Sequence, residues 1–289
     1  TTVYKYDHGF FDTDFSDYVM LSAISTTEVI STNELLSLEE NIILVEDLNE
    51  DDYVENQIDD ILKYSELVET LLVNQEAFEK TLLNSDLDNY KHMMSFSFHD
   101  LNNEKITYKL YYNQTIDYEN ETYMLDTKLV TQNEAYELMI EGKLEQEDFI
   151  MTYHINAQEK IKTAYQKGNM MNQFIVQRLL LDEVTQESMI SYENKQQINL
   201  SFTRGEAKGI YEFTLDETIP NQRGMHVRYR IDSIDEGTIN IRVNENDMNN
   251  FILEIIPDHR PSTVVEKERP YGPPKRDEPG NPNMPNRGN

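Results

Sequence analysis

Between His92 and Ile256 the chain alternates apolar and polar residues with a period of two. Met94, Phe96 and Phe98 alternate with Met93, Ser95 and Ser97. After the turn Asp100-Leu101-Asn102-Asn103, Ile106, Tyr108, Leu110 and Tyr112 alternate with Thr107, Lys109 and Tyr111. Successive side chains of a strand point to opposite faces, so two such runs joined by a short Asn/Asp-rich turn predict an antiparallel hairpin. The pattern recurs over Glu121–Val130, Ala135–Glu141, Asp148–His154, Lys160–Gln166, Gln173–Leu180 and Ser188–Tyr192, and again over Gln197–Thr203, Gly209–Leu215, His226–Ile231, Thr238–Val243 and Asn250–Ile255. Taken alone, Met170–Val184 reads as helix or strand, and its neighbours favour the strand.

Upstream the period lengthens. Val54, Ile58, Ile61, Leu62, Ser65, Val68, Leu71 and Leu72 recur three and four apart, which predicts an amphipathic helix over 50–73. Asn49 is its N-cap, Asp51 and Asp52 suit the positive end of its dipole, and Glu66 and Glu69 fall on its polar side. A shorter helical segment is expected around Glu76–Leu83. Residues 1–48 show no clear period, and Ser31–Leu44 reads as a short helix or a strand ending at Ile42-Ile43-Leu44-Val45. One proline, Pro220, interrupts residues 1–256; the other eight lie in 257–289. That tail reads as disordered or polyproline-like.

The expected fold class is mainly β with an N-terminal helix (α+β): a long antiparallel meander curled into a barrel or half-barrel around the amphipathic helix. A flat sheet of a dozen half-apolar strands would leave its apolar side wet, so it must curl or be covered. Burying six or seven aliphatic side chains of the helix contributes about 10 kcal/mol before entropy is subtracted. The chain divides into an irregular acidic segment 1–48, a helical segment 49–90, the meander 91–256 and the tail 257–289.

Charge narrows the range of partners. The formal net charge is −29, and residues 1–90 hold 22 acidic against 3 basic side chains. No basic stripe offers itself to a phosphate backbone, which excludes nucleic acid and disfavours anionic lipid. There is no cysteine, so disulfides, zinc–thiolate sites and thiol catalysis are excluded. No run of apolar residues is long enough for a transmembrane helix.

Candidate chemistry is sparse. His8, His92, His99, His154, His226 and His259 are scattered, with no metal-binding spacing. Asp12, Asp14 and Asp17 have the alternation of a calcium loop but lack its sixth-position glycine. Asp47, Asn49, Asp51 and Asp52 are better explained by a helix N-terminus. The isolated glycines form no phosphate-cradling loop. Tyrosines at strand period (Tyr108, Tyr111, Tyr112, Tyr123) suit packing on a sheet face. No residue is assigned a catalytic, cofactor-binding or metal-binding role, and no cofactor is expected.

Several segments carry a resemblance. They are Tyr64-Ser65-Glu66-Leu67-Val68-Glu69-Thr70-Leu71-Leu72, Ser95-Phe96-Ser97-Phe98-His99-Asp100-Leu101, Ile106-Thr107-Tyr108-Lys109-Leu110-Tyr111-Tyr112-Asn113, Gly142-Lys143, Ile198-Asn199-Leu200-Ser201-Phe202 and Gly209-Ile210-Tyr211-Glu212-Phe213. Over roughly residues 50–255 the chain resembles a group of uncharacterised acidic, β-rich, exported or lipoprotein-like proteins of low-GC Gram-positive bacteria and their mollicute relatives. The resemblance implies the architecture and an extracytoplasmic place, secreted or on the cell surface, with a lipid anchor upstream of residue 1 as one form. The group has no assigned activity, so no functional residue is carried over.

Three function classes follow. The first is a non-enzymatic binding or structural module that meets a protein or small-molecule ligand through its sheet face. The second is a carrier of a small apolar or lipid-like ligand inside the curved sheet. The third is a carboxylate-dependent hydrolase.

Overall fold

The computed structural model describes residues 13–36, 61–62, 68–69 and 79–268, the last with short gaps at turns between strands. Residues 37–48, the cap at Asn49, most of the predicted helix over 50–73 and the tail beyond 268 lie outside the described residues.

The strands are β1 (Glu79–Asn84), β2 (His92–His99), β3 (Lys105–Asp117), β4 (Thr122–Val130), β5 (Ala135–Lys143), β6 (Phe149–His154), β7 (Glu159–Gln166) and β8 (Asn172–Leu180). They continue with β9 (Glu183–Glu193), β10 (Gln197–Arg204), β11 (Ala207–Ile219), β12 (Gln222–Ile231), β13 (Asp235–Asn244), β14 (Asp247–Pro257) and β15 (Thr263–Glu268). All 15 join one antiparallel sheet in chain order, β1 to β15. The expected meander is therefore present, and the predicted strands from His92 to Ile255 match these elements to within a residue at their ends, Glu121 and Asp148 falling just outside β4 and β6. Of the Met170–Val184 segment, favoured as a strand, the described residues instead form β8, a turn at Leu181-Asp182 and the start of β9. Among the described residues the sheet is open: β1 pairs only with β2 and β15 only with β14, so it does not close into a barrel.

Two terminal strands correct the sequence reading. Glu79–Asn84, expected within a helical segment, is strand β1, paired from Glu79↔Ser97 to Asn84↔His92. The edge of the sheet overrides the helical preference of its leucines. Thr263–Glu268, expected within a structureless tail, is β15. Its Thr263-Val264-Val265 run suits a strand, and the prolines around it masked that signal.

The third correction concerns the helix. Thr13–Leu36, inside the segment that shows no period, forms α1. Residues 19–27 of α1 are buried without a break, from Val19 through Thr27. A helix enclosed on every side has no polar face, so no amphipathic period marks it. Its hydroxyls turn inward on its own backbone: Ser25 donates to the Leu21 carbonyl at 2.7 Å and Thr26 to the Ser22 carbonyl at 2.7 Å. The strands nearest α1 are β6, β7 and β8. Thr26 Oγ1 meets Thr163 Oγ1 of β7 at 2.6 Å, and the Tyr18 ring stacks on Tyr165 at 4.4 Å.

Of the predicted 50–73 helix, residues 61–62 and 68–69 are described as helical, with Ile61, Leu62 and Val68 buried in the same core as α1. Glu69, expected on the polar side, is buried. Its Oε2 accepts the Leu101 backbone N–H at 3.0 Å, which ties the helix to the turn after β2.

The core face carries a row of large side chains across ten strands. In register it runs Tyr123–Gly142–Phe149–Tyr165–Phe174–Ile190–Leu200–Tyr211–Tyr229–Gly237. Glycine sits directly across from an aromatic at Gly142/Tyr123, Gly209/Phe202 and Gly237/Tyr229. At the first two pairs the ring lies over the glycine, where a Cβ would overlap it; at Gly237 a Cβ would come within 2.8 Å of the Tyr229 hydroxyl. Such pairs let a ring fold across the neighbouring strand and bend the sheet locally.

Candidate binding face

The face of the sheet opposite α1 should be polar throughout, because it meets solvent. One row breaks that rule. Ile150 of β6 pairs with Ala164 of β7, Ala164 with Ile175 of β8, and Ile175 with Met189 of β9. Met189 then pairs with Ser201 of β10, and Ser201 with Ile210 of β11. Five of these six residues are apolar, and Ile150, Met189 and Ile210 are 43%, 38% and 44% exposed. With strands about 4.8 Å apart, the row is roughly 24 Å long.

Polar rows flank it on both sides. One runs Thr152–Lys162–Gln177–Glu187–Thr203–Lys208, in which Gln177 donates to Glu187 at 2.6 Å. The other runs Gln166–Gln173–Ser191–Asn199–Glu212–Arg228, and its first four members carry no charge. An apolar line bordered on one side by a run of neutral polar residues has the composition of a protein-binding patch rather than of a solvated sheet face. In a chain with 54 acidic residues, four neutral side chains in a row mark where a partner meets least repulsion.

At the β4–β6 end the same face holds a groove of about 470 Å³. Asp126, Lys128, Glu137, Met139, Thr152 and His154 line it. Its size falls within the range of small-ligand sites. Tyr90 stands beside it: burial raises its phenol pKa, and the Asp126 and Glu137 carboxylates raise it further.

The histidines weighed in the sequence are placed apart. His154 ends β6 at the groove, exposed. His92 stacks on Tyr112 at 5.0 Å. His99 ends β2, near Glu79, whose carboxyl pKa is lowered by its hydrogen bond and charge contact with Lys105, with His99 adding to the effect. His226 shares a 2.8 Å hydrogen bond with Asn240, which donates to Glu254 at 3.2 Å. His8 and His259 lie outside the described residues. Asp14 and Asp17 belong to α1 rather than to a calcium loop, and Asp17 pairs with Lys80 at 2.8 Å. Among the described residues, no three His, Asp or Glu side chains gather as a metal site requires, and no helix is long and apolar enough to cross a membrane.

The alternation was legible in the sequence, but the row was not. Ile150, Ile175, Met189 and Ile210 line up only once the register of six strands is known. The available signal was weak: each of Ile150, Ile175 and Ile210 interrupts its strand's alternation with an apolar residue at an outward position.

No protein-family model, curated protein or solved structure matches the chain.

Proposed function

We propose that the protein is a non-enzymatic, extracytoplasmic binding module that docks a partner through the outer face of β6–β11. The observation that carries this reading is the partly exposed row Ile150–Ala164–Ile175–Met189–Ser201–Ile210 beside the neutral run Gln166–Gln173–Ser191–Asn199. The adjoining groove widens the face toward β4 and gives a partner polar groups to pair with. The place outside the cytoplasm, secreted or surface-anchored, rests on the resemblance of residues 50–255 to exported acidic β-rich proteins. We also propose that the open sheet curls as a half-barrel over α1, supported by the unbroken burial of residues 19–27 and by the glycine–aromatic pairs.

A carrier reading loses support because α1, Ile61, Leu62 and Val68 occupy the place where an apolar ligand would sit.

Two experiments test the proposal. A photoreactive residue replacing Ile175 should trap one discrete partner on intact cells, and Met189→Glu should abolish the adduct. The same residue replacing Thr238, outside the row, should not trap it. Equal adducts from both positions overturn the docking face. Protease added to intact cells should degrade the protein, and full protection overturns the location.

A further inference from the structure

At one end of the sheet the β6–β7 and β8–β9 turns lie side by side. The Leu181 backbone N–H donates to the Gln158 carbonyl at 2.8 Å and ties the two tips together. Together they present four aliphatic side chains: Ile155 (37% exposed), Leu180 (46%), Leu181 (66%) and Val184 (51%). Leu180 pairs with Glu183, leaving a two-residue loop of Leu181 and Asp182. Both hold left-handed backbone, with φ of 52° and 67°. Hairpin loops of this kind favour Asn-Gly, since a leucine at positive φ is strained. The loop therefore carries strain while aiming an apolar side chain into solvent.

Two ion pairs stand behind the tip, and Glu183 beside the loop is exposed with no ion pair among the described residues. Lys160 pairs with Asp182 at 2.5 Å, and Arg178 pairs with Glu159. The hairpin also projects past its neighbour, because β10 ends opposite Gln186, before the β9 residues Glu183, Val184 and Thr185.

We propose that this paired tip is an apolar knob that seats in the interfacial layer of a zwitterionic lipid surface. Area decides between lipid and protein. Four partly exposed aliphatic side chains offer on the order of 300 Å². A stable protein interface needs about 800 Å² from each partner. A bilayer interface needs no matching patch and accepts a convex apolar tip that keeps a single unpaired carboxylate, Glu183, at its wet base. Net charge decides which lipid. A molecule at −29 is repelled by anionic headgroups and meets neutral ones without that cost.

The test is co-sedimentation of the full chain with phosphatidylcholine vesicles. Leu181→Asn combined with Val184→Ser removes two of the exposed side chains while relieving the strained turn, and a thermal melt verifies the fold. The unaltered chain should pellet with the vesicles. The double variant should bind at least about tenfold more weakly, a change equivalent to losing one well-buried aliphatic side chain. Added phosphatidylserine should weaken binding. Ile210→Ser, on the docking face, should leave vesicle binding unchanged, which keeps this result separate from the face proposed above. A chain that stays in the supernatant, a double variant that binds equally, or binding strengthened by phosphatidylserine would overturn the proposal.

Discussion

Gly142 lies beneath the Tyr123 ring, and Tyr123 is only 2% exposed, so the ring has nowhere to retreat. Gly142→Ala should therefore cost about 1–3 kcal/mol through overpacking, read as a lower midpoint in urea or heat. The buried tyrosines set a second expectation. Burial pushes the Tyr112 phenol up to about 12 and drives Tyr123, Tyr165 and Tyr192 higher still. In the unfolded chain these phenols ionise near pH 10, so above that pH the unfolded state binds fewer protons than the folded one. Their contribution is complete below pH 10 and disappears as pH rises through the folded values. For Tyr112 alone the loss between pH 10 and 12 is about 2 kcal/mol. A chemical-denaturation series should show stability falling across that window, and a flat profile would count against the buried phenols.

Among the elements, strands were far more legible than helices. Most strands from β2 to β14 declare themselves by alternation because one face is buried and the other wet; β8, where Phe174, Ile175 and Val176 run together, was legible only from its neighbours. In α1 the buried run 19–27 is wet on no side, and it is rich in Ser, Thr and β-branched residues that favour helix weakly. The clue the sequence did contain was the uncharged stretch from Tyr18 to Thr27 in an otherwise acidic N-terminal region. The seating of α1 on the sheet can be tested at its hydroxyl contact. Thr26 Oγ1 already donates to Ser22, so Thr163 is the donor across the 2.6 Å contact. Thr26→Val should cost about 1–3 kcal/mol, because it strands a fully buried Thr163 hydroxyl. Thr163→Val added to it should recover part of that loss. A double-mutant cycle measures the coupling, and simple additivity would mean that the two hydroxyls do not act as a pair.

For the whole molecule, the fold class was legible and the binding face was not. Alternation gives each strand its inside and outside, but rows across a sheet depend on how strands slide past one another. A slip of one residue would exchange the faces, and a slip of two would scatter Ile150, Ile175, Met189 and Ile210 among polar neighbours. The open edges belong to the same scale. β1 carries the inward-pointing Lys80, held by Asp17 and Ser16 of α1, and β15 carries Glu266, Lys267 and Glu268. Inward charges and charged edges discourage further strands from adding to the sheet.

The contact between Thr26 and Thr163 spans 137 positions of chain. At the usual pace of synthesis, about 5–20 residues per second, α1 emerges on the order of 10 s before the strand that receives it. Until then the uncharged stretch from Tyr18 to Thr27 lacks the strand it packs on, and it is bracketed by like charges, Asp12, Asp14 and Asp17 before it and Glu28 and Glu34 after it, whose mutual repulsion opposes association of one such segment with another.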